Sequence, residues 1–276
     1  MEQVELKVFN SGWVPVRKGM VVAGGGRERI FMPAIFAMIR RPGQGVILYD
    51  TGYSTRFYEA TRWPPYRVLR WFTPAQLQKR DNANNQLSRA GVKPEEVSMI
   101  ILGHGHVDHV PGVSYFPGAE VVVSGREWEA MQGGAWRLLT KGYVKSLYEG
   151  LENRFRFIDF EKEGKPLAGF DAAVDLLGDE SLILVPLPGH TSGQMGLLVN
   201  SLAGRYFFIG DAAWITENYA TLTPPSALAR TILASNADFS ATLRRILDFH
   251  RQNPDVVIVP SHCPRTWERI RPAVGG

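Results

Sequence analysis

Hydrophobic positions fall into short runs, each closed by turn residues. VELKVF (4–9), AIFAMIR (34–40), GVILYD (45–50), SMIILG (98–103), EVVVS (120–124), SLILVPL (181–187), QMGLLVN (194–200), RYFFIG (205–210) and DVVIVP (255–260) have the length and the β-branched and aromatic content of strands. A longer period appears in DFSATLRRILDFHRQN (238–253). There Phe239, Leu243, Ile246, Leu247 and His250 recur at spacings of three and four, beside Arg244 and Arg245, which predicts a helix with one buried and one wet face. Helices are also expected at 73–91, 125–134 and 226–234, whereas GRERIFMP (26–33) and TRWPPYRVLRWFTP (61–74) read as long loops.

The alternation of strand groups with helices points to an α/β architecture in which helices cover sheets. No linker rich in Pro, Gly or Ser divides the chain, so residues 1–276 are expected to form one domain with a loop and helix insertion at about 53–96. Lys and Arg total 31 against 27 Asp and Glu, and the basic residues are dispersed, which argues against a nucleic-acid groove or an anionic membrane patch. Cys263 is the only cysteine, so no intrachain disulfide can form. No run approaches the roughly 20 apolar residues of a membrane span, and MEQVELKVFN carries acidic residues where an export signal has its basic region. A cytoplasmic protein without nucleic-acid or membrane partners is the expectation.

Chemistry concentrates where strands end. ILGHGHVDHVPG (101–112) sets His104, His106, Asp108 and His109 directly after an apolar run. In an extended stretch, side chains two apart share a face, so His104 and His106 can converge on one ion while the following turn swings Asp108 and His109 towards another. His190 follows its own strand in LPGHTSGQMG, Asp211 follows RYFFIG, and His262 follows DVVIVP in PSHCP. Several strands thus deliver His or Asp at one end, the arrangement from which active sites grow. His250, on the amphipathic helix, is left as structure or surface.

Taken together, HGHVDH, GHTSGQMG, GDAAW and PSHC resemble the metallo-β-lactamase superfamily. The resemblance runs from LYDTG near residue 50 to His262 and implies a four-layer αββα sandwich of two similar halves. It implies two divalent ions, one held by His104, His106 and His190, the other by Asp108, His109 and His262, with Asp211 bridging them. Asp50 of LYDTG resembles the acid that lies beneath that site. Zinc is the ion expected, and Mn2+, Fe2+ and Co2+ also suit His and Asp donors. The implied reaction is hydrolysis by a metal-bridging hydroxide, with Asp108 and Asp211 as catalytic carboxylates.

Within the superfamily, DAAWITENYA and SGREWEAMQ look most like the corresponding segments of the N-acyl homoserine lactonases, so a lactone or related ester is the implied substrate. A phosphodiesterase or thioester hydrolase of the same superfamily is the alternative, and a metal-stabilised binding protein is the non-enzymatic one. Trp214 stands where the lactonases often carry a tyrosine; its indole N–H can donate a hydrogen bond but cannot supply a proton. Tyr219 is a candidate substitute. Trp63, Tyr66, Trp71 and Phe72 offer an apolar wall for an acyl chain or, alternatively, a surface that packs against the sandwich or a second copy of the chain in a homodimer.

Overall fold

The computed structural model describes residues 4–41, 43 and 45–276; residues 1–3, which entered the expectation about export, lie outside them. The strands are β1 (Glu5–Arg17), β2 (Arg29–Arg41), β3 (Gly45–Tyr49), β4 (Val97–Ile101), β5 (Glu120–Ser124), β6 (Phe155–Ile158), β7 (Lys165–Leu167), β8 (Phe170–Asp175), β9 (Leu182–Pro186), β10 (Met195–Ser201), β11 (Gly204–Gly210) and β12 (Val256–Pro260). They build two six-stranded sheets, ordered β1-β2-β3-β4-β5-β6 and β12-β11-β10-β9-β8-β7. Both sheets are mixed. β3, β4, β5 and β6 pair in parallel in one, β11 and β12 do so in the other, and the remaining ladders are antiparallel.

The layering follows from strand alternation. In β2, Ala34, Phe36 and Met38 face an outer core while Ile35, Ala37 and Ile39 face the partner sheet. In β11, Tyr206 and Phe208 point inward and Phe207 and Ile209 outward. Strands buried on both faces read as continuous apolar runs, which is why these segments stand out in the sequence. Helix α1 (Lys18–Val21) follows β1 and packs Val21 beside Trp214; α2 (Arg56–Ala60), α3 (Leu69–Phe72), α4 (Ala83–Arg89), α5 (Gly125–Ala130) and α6 (Ala135–Thr140) accompany the first sheet, and α7 (Thr216–Ala220) and α8 (Asn236–Gln252) the second. α9 (Pro264–Val274) packs along β1, β2 and β12 and inserts Ile270 and Val274 into the middle layer. The result is two sheets face to face with helices outside each. No helix among the described residues is long and apolar enough to cross a membrane.

Several expected boundaries move. GRERIFMP is not all loop: from Arg29 it extends β2, pairing Ile30 with Val16 and Met32 with Val14, a long-range ladder that no local window shows. The helix expected over 73–91 contracts to α4, because 73–82 is drawn away to bond Trp13 through Gln76, in both directions, at 3.0 and 2.7 Å. Residues 226–234 form only a 3-10 turn at Ala229–Ile232. α9 was hidden by two prolines, yet Pro264 occupies the first turn, where a missing N–H costs nothing.

Candidate metal centre

Strand ends deliver the cluster. Asp50 follows β3, and His104, His106, Asp108 and His109 follow β4; from the other sheet, His190 follows β9, Asp211 follows β11 and His262 follows β12. Asp50 adopts φ 57°, a left-handed turn that an aspartate tolerates better than most residues and that aims its side chain beneath the loop after β4.

Two groups of donors meet there: His104, His106 and His190, and Asp108, His109, Asp211 and His262. In each group, one donor atom per residue lies within 4.8 Å of the others. His106 Nδ1 and His190 Nε2 are 2.9 Å apart. Asp211 joins the groups, since Oδ1 lies 3.1 Å from His262 Nε2 and 3.4 Å from His109 Nε2 while Oδ2 lies 3.4 Å from His190 Nε2. Asp108 reaches His262 Nε2 at 3.2 Å and His109 Nε2 at 3.7 Å.

Outer contacts set the ring orientations. Nδ1 of His262 lies 2.8 Å from the Pro33 carbonyl, which can only accept, so that nitrogen carries a proton and leaves Nε2 facing the cluster. Nδ1 of His109 lies 2.7 Å from Asp50 Oδ2, and Asp50 Oδ1 accepts the Gly103 N–H at 2.7 Å. Both rings thereby turn the other nitrogen inward, as metal-ligating histidines do.

Apart from Asp108 the cluster is buried, and many of its polar atoms have no hydrogen-bond partner: both nitrogens of His104, Nε2 of His106 and His109, Nδ1 of His190 and Oδ1 of Asp211. Buried polar atoms are normally satisfied, so orphans gathered on one set of imidazole and carboxylate donors fit cations. A dinuclear metal-binding site is present. Its two halves differ electrically. Burial pushes His104 and His106 down and His190 down to about 3, leaving neutral imidazoles suited to ligation. At His109 and His262 burial also pushes down but is outweighed by the neighbouring carboxylates, which hold His109 well above its ordinary value and His262 up to about 10. Burial would raise Asp108 and Asp211, yet His109 and His262 draw both below the usual carboxylate range.

The family model of the metallo-β-lactamase superfamily matches residues 35–262. The chain belongs to that superfamily. Among its curated relatives, the N-acyl homoserine lactonase AttM of Rhizobium radiobacter is 22% identical over 99% of this chain and 98% of its own length. The probable metallo-hydrolase Rv2300c of Mycobacterium tuberculosis is 27% identical over 82% of this chain and 74% of its own. Among solved structures, the B. thuringiensis AiiA variant with N-decanoyl-L-homoserine at its active site superposes with a TM-score of 0.75 at 17% identity, covering 97% of both chains. A probable metal-dependent hydrolase of Staphylococcus aureus gives 0.72 at 13% identity, covering 95% of this chain and 91% of that one.

Around this metallo-β-lactamase centre, Trp214 stands edge-on to His190 with ring centroids 6.0 Å apart, packed with Val21, Val22, Met32 and Cys263. Tyr219 lies in the outer core beneath the second sheet, edge-on to His250, and makes no ring contact with the cluster histidines. Trp63, Trp71 and Phe72 are 65, 78 and 72% exposed, with Arg62 over the Trp63 ring, while Tyr66 is half-buried against the outer core.

Sequence reasoning missed Glu127, Tyr143 and Thr191. Glu127 is fully buried, and its carboxylate accepts from Gly105 N, Tyr143 Oη and Thr191 Oγ1. An acid in the first turn of an expected helix reads as a partner of the helix dipole, and only its lack of exposure distinguishes it.

Proposed function

We propose that the protein is a zinc-dependent hydrolase that opens the ring of a lactone, most fittingly an N-acyl homoserine lactone. The carrying observation is the position of Asp211, one carboxylate oxygen directed to each half of a seven-residue His and Asp set. When bound, two divalent ions make a water nucleophilic near neutral pH and polarise a carbonyl.

The chain's own residues supply the rest. The buried histidines and Asp211 shape a water-poor floor, and Asp50 and the Pro33 carbonyl hold His109 and His262 against rotation. Asp108 is the most open member, with its side chain 16% exposed against 1 and 5% for His109 and His262, which it faces, so its carboxylate can take up and return a proton on the open side. Trp214 borders the His190 side and can donate an indole hydrogen bond to a substrate carbonyl, but it cannot act as an acid. The full-length match to AttM proteins favours a lactone over a phosphodiester.

The test is a parallel panel: N-acyl homoserine lactones of graded tail length, simple γ- and δ-lactones, an acyl thioester and a nitrophenyl phosphodiester, each assayed with metal-replete protein. Ring opening of the acyl homoserine lactones, with one proton released per turnover, should dominate. Inert lactones beside a rapidly cleaved phosphodiester would overturn the lactonase reading while sparing the metal-dependent hydrolase.

A further inference from the structure

The two halves of the centre carry unequal charge. The Asp108, His109, Asp211 and His262 half has Asp108 of its own, the shared Asp211, and Asp50 behind His109. The His104, His106 and His190 half has three imidazoles and, as its one carboxylate, the shared Asp211. Glu127 stands behind this poorer half.

Its position follows from the local fold. Ser124 ends β5 and caps α5: its Oγ accepts the Glu127 N–H at 3.1 Å and donates to the Gly193 carbonyl at 2.5 Å. This clamps the first turn of α5 against the loop that carries His190. The approach is so close that a Cβ on Gly193 would stand 2.0 Å from Glu127 N, so only glycine fits. Glu127 Oε1 then accepts the N–H of Gly105, the residue between His104 and His106, at 2.9 Å, and the Tyr143 hydroxyl at 2.9 Å. Oε2 accepts the hydroxyl of Thr191, the residue after His190, at 2.5 Å. One side chain therefore ties together the two loops that supply all three histidines.

The donors explain why the residue is an acid. A backbone N–H can only donate, and two hydroxyls donating to the same carboxyl complete a set that an acceptor-only carboxylate satisfies best. Among the described residues no Lys, Arg or His forms an ion pair with Glu127. Buried charges are normally paired or serve metals, and the two loops that Glu127 bonds are those that carry the three-histidine half.

We infer that Glu127 is a positioning residue that sets the cation affinity of the His104, His106 and His190 half, by bracing its two loops and by supplying the negative charge those ligands lack. The inference rests on the two-ion reading of the centre and is independent of which substrate is hydrolysed.

The test is metal titration of chelator-stripped protein with Co2+ alone, followed by absorption spectroscopy and by competition with a chromophoric chelator, on wild type, Glu127→Gln, Glu127→Asp and Thr191→Val. Glu127→Gln keeps the shape but loses the charge and turns an amide towards a donor; it should weaken one of the two ions about 10- to 100-fold and leave the other within a few-fold. Glu127→Asp, which retains the charge, should recover part of that loss. Thr191→Val removes one of the three bonds to Glu127 and should weaken the same ion by a smaller factor, which keeps the inference testable if Glu127→Gln does not fold. Thermal unfolding of the stripped proteins separates bracing of the site from general folding. Equal weakening of both ions in step with a lowered apo-protein Tm, or wild-type titration curves for all three variants, would overturn the inference. Because no substrate enters the titration, an inert lactone panel would count against the proposed activity and leave this result untouched.

Discussion

Asp50 Oδ2 lies 2.7 Å from Nδ1 of His109, fully buried beneath the centre. The contact fixes which nitrogen of His109 faces inward and adds negative charge behind it. Asp50→Asn is the clean test, because asparagine also tolerates φ 57° and can still accept from Gly103, while its NH2 would oppose a protonated Nδ1. Turnover or metal affinity should fall about 10- to 100-fold. Unchanged metal content and kcat would show that the contact is only structural.

Asp211 faces both halves. Asp211→Asn should therefore impair retention of both ions, read by elemental analysis, and depress kcat by about 100-fold or more. His250 serves as the control: it meets Tyr219 edge-on, outside the cluster, and His250→Ala should keep a full metal complement. Matching metal losses in the two variants would point to a folding defect.

Removing the ions should destabilise the fold, because ions bind the native donor set and not the unfolded chain. Free ion at 100 times Kd stabilises by about 2.7 kcal/mol. Scanning calorimetry before and after chelation should show a lower Tm that returns when metal is restored. An identical Tm would contradict the proposed ligation.

Cys263 adjoins His262 but points elsewhere. Its sulfur accepts from the N–H groups of Thr216 and Thr266 at 3.4 Å and caps α9. Cys263→Ser should preserve metal content and activity, since serine caps as well, whereas Cys263→Ala should cost about 1 kcal/mol by chemical denaturation. Metal loss in the serine variant would place the thiol in the centre after all.

Trp71 and Phe72 are exposed enough that Trp71→Ala and Phe72→Ala should each change stability by no more than about 0.5 kcal/mol. If they form a wall for an acyl chain, kcat/KM should lose its dependence on tail length in the double variant while short lactones react as before. Retained chain-length preference would assign the loop another role.

The donors of the centre and the existence of its layers are legible in local sequence. Each ligand follows an apolar run, and strands buried on both faces leave runs that can be read locally. How those ends meet depends on long-range contacts. The Pro33 carbonyl that orients His262 lies 229 residues away, and Thr191 meets Glu127 across 64. Pairing β2 with β1 turned an expected loop into strand, and packing drew Tyr219 to His250. Glu127 looked like an ordinary acid in a first helical turn because burial and long-range hydrogen bonds arise only when the sheets close on each other. Local pattern reports what a segment can bury; which distant group satisfies a buried polar atom is settled by the fold.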